Sequence, residues 1–274
     1  MTGVCHRLPT LLLVAVAAGA AEPGVLSWTL DPAGAPLRAV AGTPRQVPTP
    51  GGPAVLALGV APGDAECLVG TVPAGAPSAP PFTLEAWIHP TQCGEWDRLA
   101  LNWGAPGHRA YHLALHRGRG SLVVCQRDGT EVFCEGGRIE PGQWTHLVGV
   151  ADPAARRLRL HVQGELVAEV PFDGTMAEGS GQFGIGDSAT DFAPGLRFRG
   201  YLGALRAWDR ALTPTEIAAR RTADQARFTT APKETGLTRA LALKAIAERH
   251  ALDDAQAAEA AQLLGDPDPS VRAA

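Results

Sequence analysis

The sequence predicts a mainly β fold, a two-sheet antiparallel sandwich followed by a short α-helical tail. Three observations support this prediction. The 274-residue chain is 45% hydrophobic, which is enough apolar mass for a sizeable core. Its 32 glycines and 23 prolines are typical of short strands joined by many turns. From residue 25 to about residue 208, short apolar or alternating runs recur between turn residues, without helical periodicity.

The first 21 residues have the features of a secretory signal peptide. Arg7 precedes an apolar run from Leu11 to Ala18, and small residues follow up to Ala21. The run is far shorter than the roughly 20 residues that span a bilayer, and no later segment is apolar enough to be a membrane span. We therefore expect cleavage near Ala21 and a secreted or periplasmic product.

Short β-like runs bounded by Gly, Pro and Asp fill the chain as far as residue 208. The run Arg157–Gln163 alternates strictly between apolar and polar residues, so one face of that strand should be exposed. The predicted strands are Val25–Leu30, Ala54–Leu58, Glu66–Val69, Phe82–His89, Asp97–Asn102, Tyr111–His116, Ser121–Gln126, Glu131–Glu135, Thr145–Asp152, Arg157–Gln163, Glu165–Pro171, Gln182–Ile185 and Arg199–Trp208.

Helical signals begin at Thr213, which is followed by proline at the first helical position and by Glu216 three residues on. This pattern predicts a short helix to about Arg221. Beyond a linker over 222–235, residues 236–249 space their leucines near the helical period. Asp253 then caps a second helix that ends at Gly265, and Asp268 caps a third helix that the chain is too short to complete.

Four cysteines remain after signal removal, and an oxidising compartment favours their pairing. We expect Cys125 to bridge Cys134, because the two flank a predicted hairpin around Asp128-Gly129 and lie opposite each other if its loop covers 128–131. A two-residue turn would leave them diagonal and too far apart. A Cys67–Cys93 bridge is the weaker expectation, and free buried cysteines are the alternative.

Five segments resemble the laminin-G-like (concanavalin A-like) jelly-roll family of exported bacterial proteins. The segments are Val25–Asp31, Phe82–Pro90, Gly142–Val148, Gly184–Gly186 and Gly200–Ile217. The resemblance implies a jelly-roll domain over 22–221 whose rim loops bind a glycan or a cell-surface protein. Gly203-Ala204 stands where family members commonly carry an acidic residue, which argues against a metal-linked role for that position. Residues 257–274 resemble part of a HEAT-type repeat, so we expect 236–274 to be a helical tail that packs by stacking.

Catalytic signatures are missing from the sequence. Glucanases of this fold place Glu-x-Asp-x-Glu on one strand, whereas the chain offers only Glu95 and Asp97 at a loop–strand junction, where a solvated edge is the favoured interpretation. Serine-hydrolase, zincin and phosphate-loop motifs are also missing. The net charge of −4 provides no basic field, so we expect no nucleic-acid partner.

Candidate ligand-binding residues come from two groups. Trp96 and Trp103 flank a short strand beside loops rich in Gly, Asp and His, where an exposed indole could stack on a sugar ring. Asp173, Asp187 and Asp191 lie in glycine-rich loops and could supply oxygens to calcium. Asp187 and Asp191 are also candidates to bind a ligand directly. Ordinary edge packing and turn formation are the respective alternatives.

The remaining aromatic and imidazole side chains are expected to be structural. We expect the indoles of Trp28, Trp87, Trp144 and Trp208 to belong to the core. His112 and His116 share one face of a strand, too far apart for a shared zinc, and His146 should be packed and hydrogen-bonded.

The sequence therefore favours an exported, non-catalytic recognition module that binds carbohydrate or mediates adhesion. A structural or protein-interaction domain of a larger surface assembly is the alternative, and a glycoside hydrolase is the least favoured. No cofactor other than calcium is expected.

Overall fold

The structure, a computed structural model, describes residues 25–27, 38–41, 45–47, 49, 52–59, 67–71, 76–104, 106–187, 196–232 and 254–265. Two antiparallel sheets stack to form the predicted sandwich, and helices follow it. The strands are β1 Val25–Ser27, β2 Arg38–Ala41, β3 Arg45–Val47, β4 Val55–Leu58, β5 Cys67–Thr71, β6 Phe82–Pro90, β7 Trp96–Trp103, β8 Arg109–His116, β9 Arg119–Cys125, β10 Glu131–Arg138, β11 Thr145–Asp152, β12 Arg157–Val162, β13 Glu165–Pro171, β14 Gln182–Ile185 and β15 Gly200–Trp208. The helices are α1 Pro214–Gln225 and α2 Asp254–Leu263.

The strands form two sheets with long crossovers between them. The eight-stranded sheet has the order β13-β12-β11-β6-β15-β4-β3, and β1 pairs with β15 as well. The seven-stranded sheet has the order β10-β9-β8-β7-β14-β5-β2. The mainly β, two-sheet fold that the sequence predicts is therefore confirmed. β2 and β3 are additional to the predicted strands.

The main core lies between the two sheets and is built from alternating apolar residues. In β12, Leu158 and Leu160 are fully buried while Arg157 and Arg159 are partly exposed, as the strict alternation predicted. His161 on the same face as the arginines is 1% exposed, so the polar face is not open along its whole length. The largest fully buried rings of this core are Phe82, Tyr111, Phe183 and Phe198.

The buried tryptophans lie elsewhere than expected. Trp87, Trp144 and Trp208 are buried, but they belong to clusters on the outer face of the eight-stranded sheet and not to the core between the sheets. The helix and the chain that follow the sandwich cover them, so their burial depends on that cover. Trp28 lies outside the described residues.

The capping box at Thr213 begins α1 as predicted. The Thr213 hydroxyl accepts from the backbone N–H of Glu216, and the Glu216 carboxylate accepts from the backbone N–H of Thr213. The helix ends at Gln225 instead of Arg221, so the predicted linker begins inside it. Ile217 packs against Trp208 and Leu212, because the apolar face of α1 turns towards the sheet.

Beyond α1 the structure describes a second helix, α2, that agrees with the predicted helix after Asp253. The signal peptide, the predicted helix over 236–249 and the third helix after Asp268 lie outside the described residues. Within the described ranges, neither helix is long and apolar enough to cross a membrane.

The predicted Cys125–Cys134 disulfide is wrong, because the β9–β10 hairpin has a different register. Gln126 and Thr130 close its loop, so Cys125 pairs with Glu131, and Cys134 pairs with Leu122. The offset is odd, so the two thiols lie on opposite faces of the sheet. Cys125, Cys134 and Cys93 are all free, which also contradicts the alternative Cys67–Cys93 bridge.

Candidate functional site

The two outer faces of the sandwich differ in their cover. On the eight-stranded sheet, the Phe228 ring stacks on Trp87 at 5.0 Å between ring centroids, and the Trp144 indole N–H donates to the carbonyl of Thr230 at 2.9 Å. The chain after α1 therefore occupies that face. The outer face of the seven-stranded sheet carries its own aromatic cluster and is the better candidate for a ligand site.

A backbone irregularity in β7 brings the two candidate tryptophans to this outer face. Trp96 and Trp103 would lie on opposite faces of a regular strand, since they are an odd number of positions apart. A bulge at Leu99, between the paired residues Arg98 and Ala100, breaks the alternation of the strand. In the structure both rings join the cluster that includes Leu101.

An open cavity of about 340 Å³ lies over this cluster. Half of its described lining is aromatic or imidazole, and two arginines and a glutamate supply the polar groups. Phe133 of β10 lines the cavity and is 45% exposed, which is unusual for a large apolar ring. The lining residues are Trp96, Arg98, Trp103, Arg109, His112, Glu131, Phe133 and Leu196.

The rings of the site form a continuous stack. The His112 imidazole lies against Trp103 at 4.6 Å and 17°, and against Trp96 at 5.3 Å and 26°. His116 continues the stack on Trp96 at 4.0 Å and 7°, and its Nδ1 lies 2.9 Å from a carboxylate oxygen of Glu135. His116 was predicted only to face solvent with its polar side; in the structure it also stacks on Trp96 and contacts Glu135.

Both lining arginines are held by carboxylates. Arg98 donates to Asp187 at 3.2 Å, and Arg197 donates to the other carboxylate oxygen of Asp187 at 3.1 Å. Arg109 donates to Glu131 at 2.7 Å, and its guanidinium lies 5.3 Å from the ring centroid of Trp103. These ion pairs hold the two guanidinium groups at the cavity wall and fix the direction of their N–H groups.

His112 is a buried polar residue of the lining. It is 6% exposed, and among the described residues neither of its ring nitrogens has a hydrogen-bond partner. Burial lowers the pKa of His112 to about 3, and the positive charges of Arg98, Arg109 and His116 act in the same direction. The ring is therefore neutral near pH 7 and has one donor and one acceptor nitrogen.

The predicted calcium ligands do not converge in the described part of the chain. Asp187 is fully buried and binds arginines, as described above. Asp173 comes before the first residue of β14, whereas Asp187 comes after its last residue. The Asp173 carboxylate accepts from the backbone N–H of Thr175. Asp191 lies outside the described residues, and among those described no group of three or more metal-ligating side chains occurs.

The acidic pair Glu95 and Asp97 does not form a catalytic arrangement. Glu95 is exposed and accepts from the guanidinium of Arg117, while Asp97 is buried and accepts from the backbone N–H of Gly94 at 2.7 Å. Burial raises the pKa of Asp97 to about 6 against the opposing effects of the Gly94 hydrogen bond and Arg199. The two carboxyls therefore face different surroundings and not a shared cleft.

Sequence analysis recognised Trp96 and Trp103 but missed the side chains around them. Arg98, Arg109 and Phe133 were not singled out, and His112 was assigned to an ordinary polar face. The register places His112 directly opposite Leu101 on β7 and Val123 on β9, and Val123 opposite Phe133 on β10. These four side chains form a row across four strands, and only the strand order reveals it. The alternation of β8 was visible in the sequence, but it does not show which residues of other strands lie beside His112.

Comparison with known families gives a match over most of the sandwich. A family model described as Laminin_G_3, concanavalin A-like lectin/glucanases superfamily, matches residues 63–218, more than half of the chain. No curated protein matches the chain. Nothing in the comparisons supports the HEAT-type resemblance of the tail, which lies beyond the matched residues.

Solved structures with a similar fold include three structures of two toxin binding domains. The binding domain of Paraclostridial mosquitocidal protein 1 has a TM-score of 0.55 and 11% identity, and covers 68% of this chain and 47% of its own. The binding domain of botulinum neurotoxin DC in complex with SialylT has a TM-score of 0.53 and 9% identity, over 68% of this chain and 46% of that one. The same domain in complex with rat synaptotagmin II gives 0.53 and 10% over the same shares. The chain thus spans less than half of these solved chains, and the similarity concerns the fold alone.

Proposed function

Because the chain belongs to the concanavalin A-like lectin/glucanase superfamily, we propose that it is an exported carbohydrate-recognition module that binds sugar at the outer face of its seven-stranded sheet. The observation that carries this proposal is the cavity lined by Trp96, Trp103 and Phe133 together with two arginine–carboxylate pairs.

The composition of the cavity suits a sugar ring. Indole and phenyl faces pack against the apolar C–H face of a pyranose, which excludes water from that side. The paired guanidinium and carboxylate groups of Arg109 and Glu131 are about 29% exposed each, so they can exchange hydrogen bonds with hydroxyl groups. A concave, largely apolar site with a few oriented polar groups is what small ligands generally use.

The binding domain of botulinum neurotoxin DC, which has a similar fold, is described in complex with SialylT and with synaptotagmin II, and this favours recognition over catalysis in our proposal. The superfamily also includes glucanases. Glu95 and Asp97 do not face a common cleft, and Glu131, the acidic residue at the cavity, is neutralised by Arg109. We therefore propose that the cavity binds and does not hydrolyse its ligand.

The proposal is tested by glycan-array binding of the full chain and of a Phe133→Ala variant. Phe133 is half exposed, so its removal should leave the fold intact while weakening binding by about tenfold or more, as for a central aromatic contact. Leu166→Ala is the matched control, because Leu166 is 50% exposed on the other sheet. Absence of binding to any glycan, or equal loss in both variants, would contradict a sugar site here.

A second candidate function, docking to a protein partner in a surface assembly, is favoured by one observation. Leu264, directly after α2, is 69% exposed. A large apolar side chain that is open to solvent is available to pack against a partner protein. A partner that is retained by the wild-type chain and lost by Leu264→Glu would support this function.

A further inference from the structure

A neutral imidazole without hydrogen-bond partners forms part of the wall of the proposed sugar cavity. The two ring nitrogens of His112 are buried, and no group in the described part of the chain accepts from or donates to them. Buried polar atoms are normally paired, so an orphaned pair calls for an explanation. The two indoles that sandwich the ring hold it in place by stacking and leave its polar edge without a partner.

We infer that His112 determines the specificity of this cavity, and that its ligand is an uncharged sugar residue with a hydroxyl group that hydrogen-bonds to the imidazole. The inference rests on the proposed sugar-binding function and names the kind of sugar. A hydroxyl group is both donor and acceptor, so it can pair with either nitrogen of a neutral imidazole.

The charges around His112 favour an uncharged ligand. Arg98 and Arg109 already have Asp187 and Glu131 as partners at the cavity wall. An acidic sugar would bring its carboxylate close to these two acidic groups and would have to displace one from its arginine. The low pKa of His112 adds to this, because the ring carries no positive charge to attract an acid.

Access to the imidazole requires a small movement of one ring. Trp96 is only partly buried and lies 6.3 Å from the exposed Phe133, whereas Trp103 is buried and held under the Arg109 guanidinium. A tilt of the Trp96 indole uncovers the edge of His112 and keeps the apolar platform in place. Sugar binding should therefore change the tryptophan emission of the protein.

The decisive experiment compares uncharged and acidic sugars on matched histidine variants of the full chain. The probes are the methyl pyranosides of glucose, galactose and mannose and the corresponding uronic acids, measured by calorimetry and tryptophan fluorescence. His112→Phe keeps the ring stack and removes both nitrogens. His161→Phe is the control, because His161 is also buried with two unpaired ring nitrogens but lies on the other sheet.

We expect at least one uncharged pyranoside to bind about tenfold more tightly than its uronic acid. His112→Phe should weaken that binding about tenfold, which corresponds to roughly 1.4 kcal/mol, without lowering Tm, while His161→Phe leaves it unchanged. Should His112→Phe fail to fold, His112→Gln tests the same point, since its amide restores a donor and an acceptor and should retain most of the affinity.

The outcomes separate this inference from the function it rests on. Equal binding of wild type and His112→Phe, or tighter binding of the uronic acids, overturns the inference and leaves sugar recognition standing. Loss of binding in both His112→Phe and His112→Gln, with Tm unchanged, also overturns it, because ring shape and not hydrogen bonding would then decide affinity. If no sugar binds the wild-type chain, the proposed function itself is overturned.

Discussion

At the scale of single residues, burial decides the chemistry of the titratable groups. His112 and Asp97 belong to neighbouring strands, and burial drives each towards its neutral form. Gly203 shows the same dominance of packing, since a Cβ at this position would overlap the Phe228 ring. The glycine that departs from the family pattern therefore makes room for the ring that covers Trp87.

Replacing Asp97 by asparagine should stabilise the protein more at neutral than at acidic pH. The pKa of Asp97 is about 6 in the folded state and 3.8 in the unfolded chain, so the folded state holds the extra proton between these values. Wild-type stability therefore falls as pH rises through this range, by about 1–3 kcal/mol in total. Asparagine does not ionise, and its carbonyl can still accept from Gly94.

Thermal unfolding at about pH 4.5 and about pH 7.5 measures this difference. The gain in Tm from Asp97→Asn should be larger at the higher pH. Asp128→Asn is the control, because a backbone hydrogen bond from Thr130 lowers the pKa of that exposed carboxyl, so it is ionised at both pH values and its replacement should change Tm equally at both. An equal gain at both pH values would show that Asp97 stays ionised in the fold.

At the scale of elements, α1 is held on the eight-stranded sheet by a buried ionic network. The fully buried Glu85 carboxylate accepts from His146 at 2.8 Å and from Arg206 at 2.8 Å. Arg220 of α1 reaches Glu85 at 3.4 Å and lies over the Trp208 ring, and Arg206 also donates to Asp224 of α1. The prediction that His146 is packed and hydrogen-bonded is therefore confirmed.

Glu85→Gln should loosen α1 and destabilise the fold by about 3–5 kcal/mol, because it leaves Arg206 and Arg220 facing a neutral group in a buried site. Burial alone would raise the pKa of Glu85, but the His146 hydrogen bond and the charges of Arg206 and Arg220 hold it at about 2. This stability is therefore complete above about pH 4.5 and is lost as pH falls towards 2.

Urea unfolding at neutral pH tests this network. Glu169→Gln serves as the control, since Glu169 makes solvent-exposed ion pairs with Arg157 and Arg159, and exposed pairs contribute little to stability. A loss no larger than that of the control would mean that α1 is held by the apolar contacts of Ile217 alone.

At the scale of the whole molecule, the two sheets have different roles because their outer faces are covered differently. The helix and the chain after it cover the outer face of the eight-stranded sheet around Trp87, Trp144 and Trp208. The seven-stranded sheet keeps an open cavity on its outer face. Buried, neutral histidines occur in both sheets, namely His89, His112 and His161.

The stability of the whole protein should fall as pH decreases from about 7 to about 5. Burial lowers the pKa of His89, His112 and His161, so the unfolded chain takes up protons below about pH 6.5 that the folded state does not. Asp97 acts in the opposite direction over this range, but three imidazoles oppose one carboxyl.

Thermal unfolding across this pH range measures the effect, and His161→Phe should flatten the curve without involving the cavity. A Tm that stays constant or rises on acidification would mean that these rings are protonated inside the fold. The comparison needs a fixed ionic strength, because surface charges respond to salt.

The register of the hairpin illustrates what local patterns cannot specify. The turn residues Asp128-Gly129 correctly indicate a hairpin, but the pairing of Cys125 depends on how many residues the loop leaves unpaired. A shift of one residue moves every side chain to the opposite face, so a small error in loop length reverses the predicted contacts.

The sequence by itself determined the fold class, most of the strands, the cap at Thr213 and the two indoles of the site, because each depends on local periodicity or on a short motif. Tertiary structure alone decided that a bulge in β7 turns Trp96 and Trp103 to one face, that His112 lies between them, and that Asp187 binds arginines. These contacts join residues from different strands and loops. Their energies depend on strand order and burial, which no local run of residues specifies.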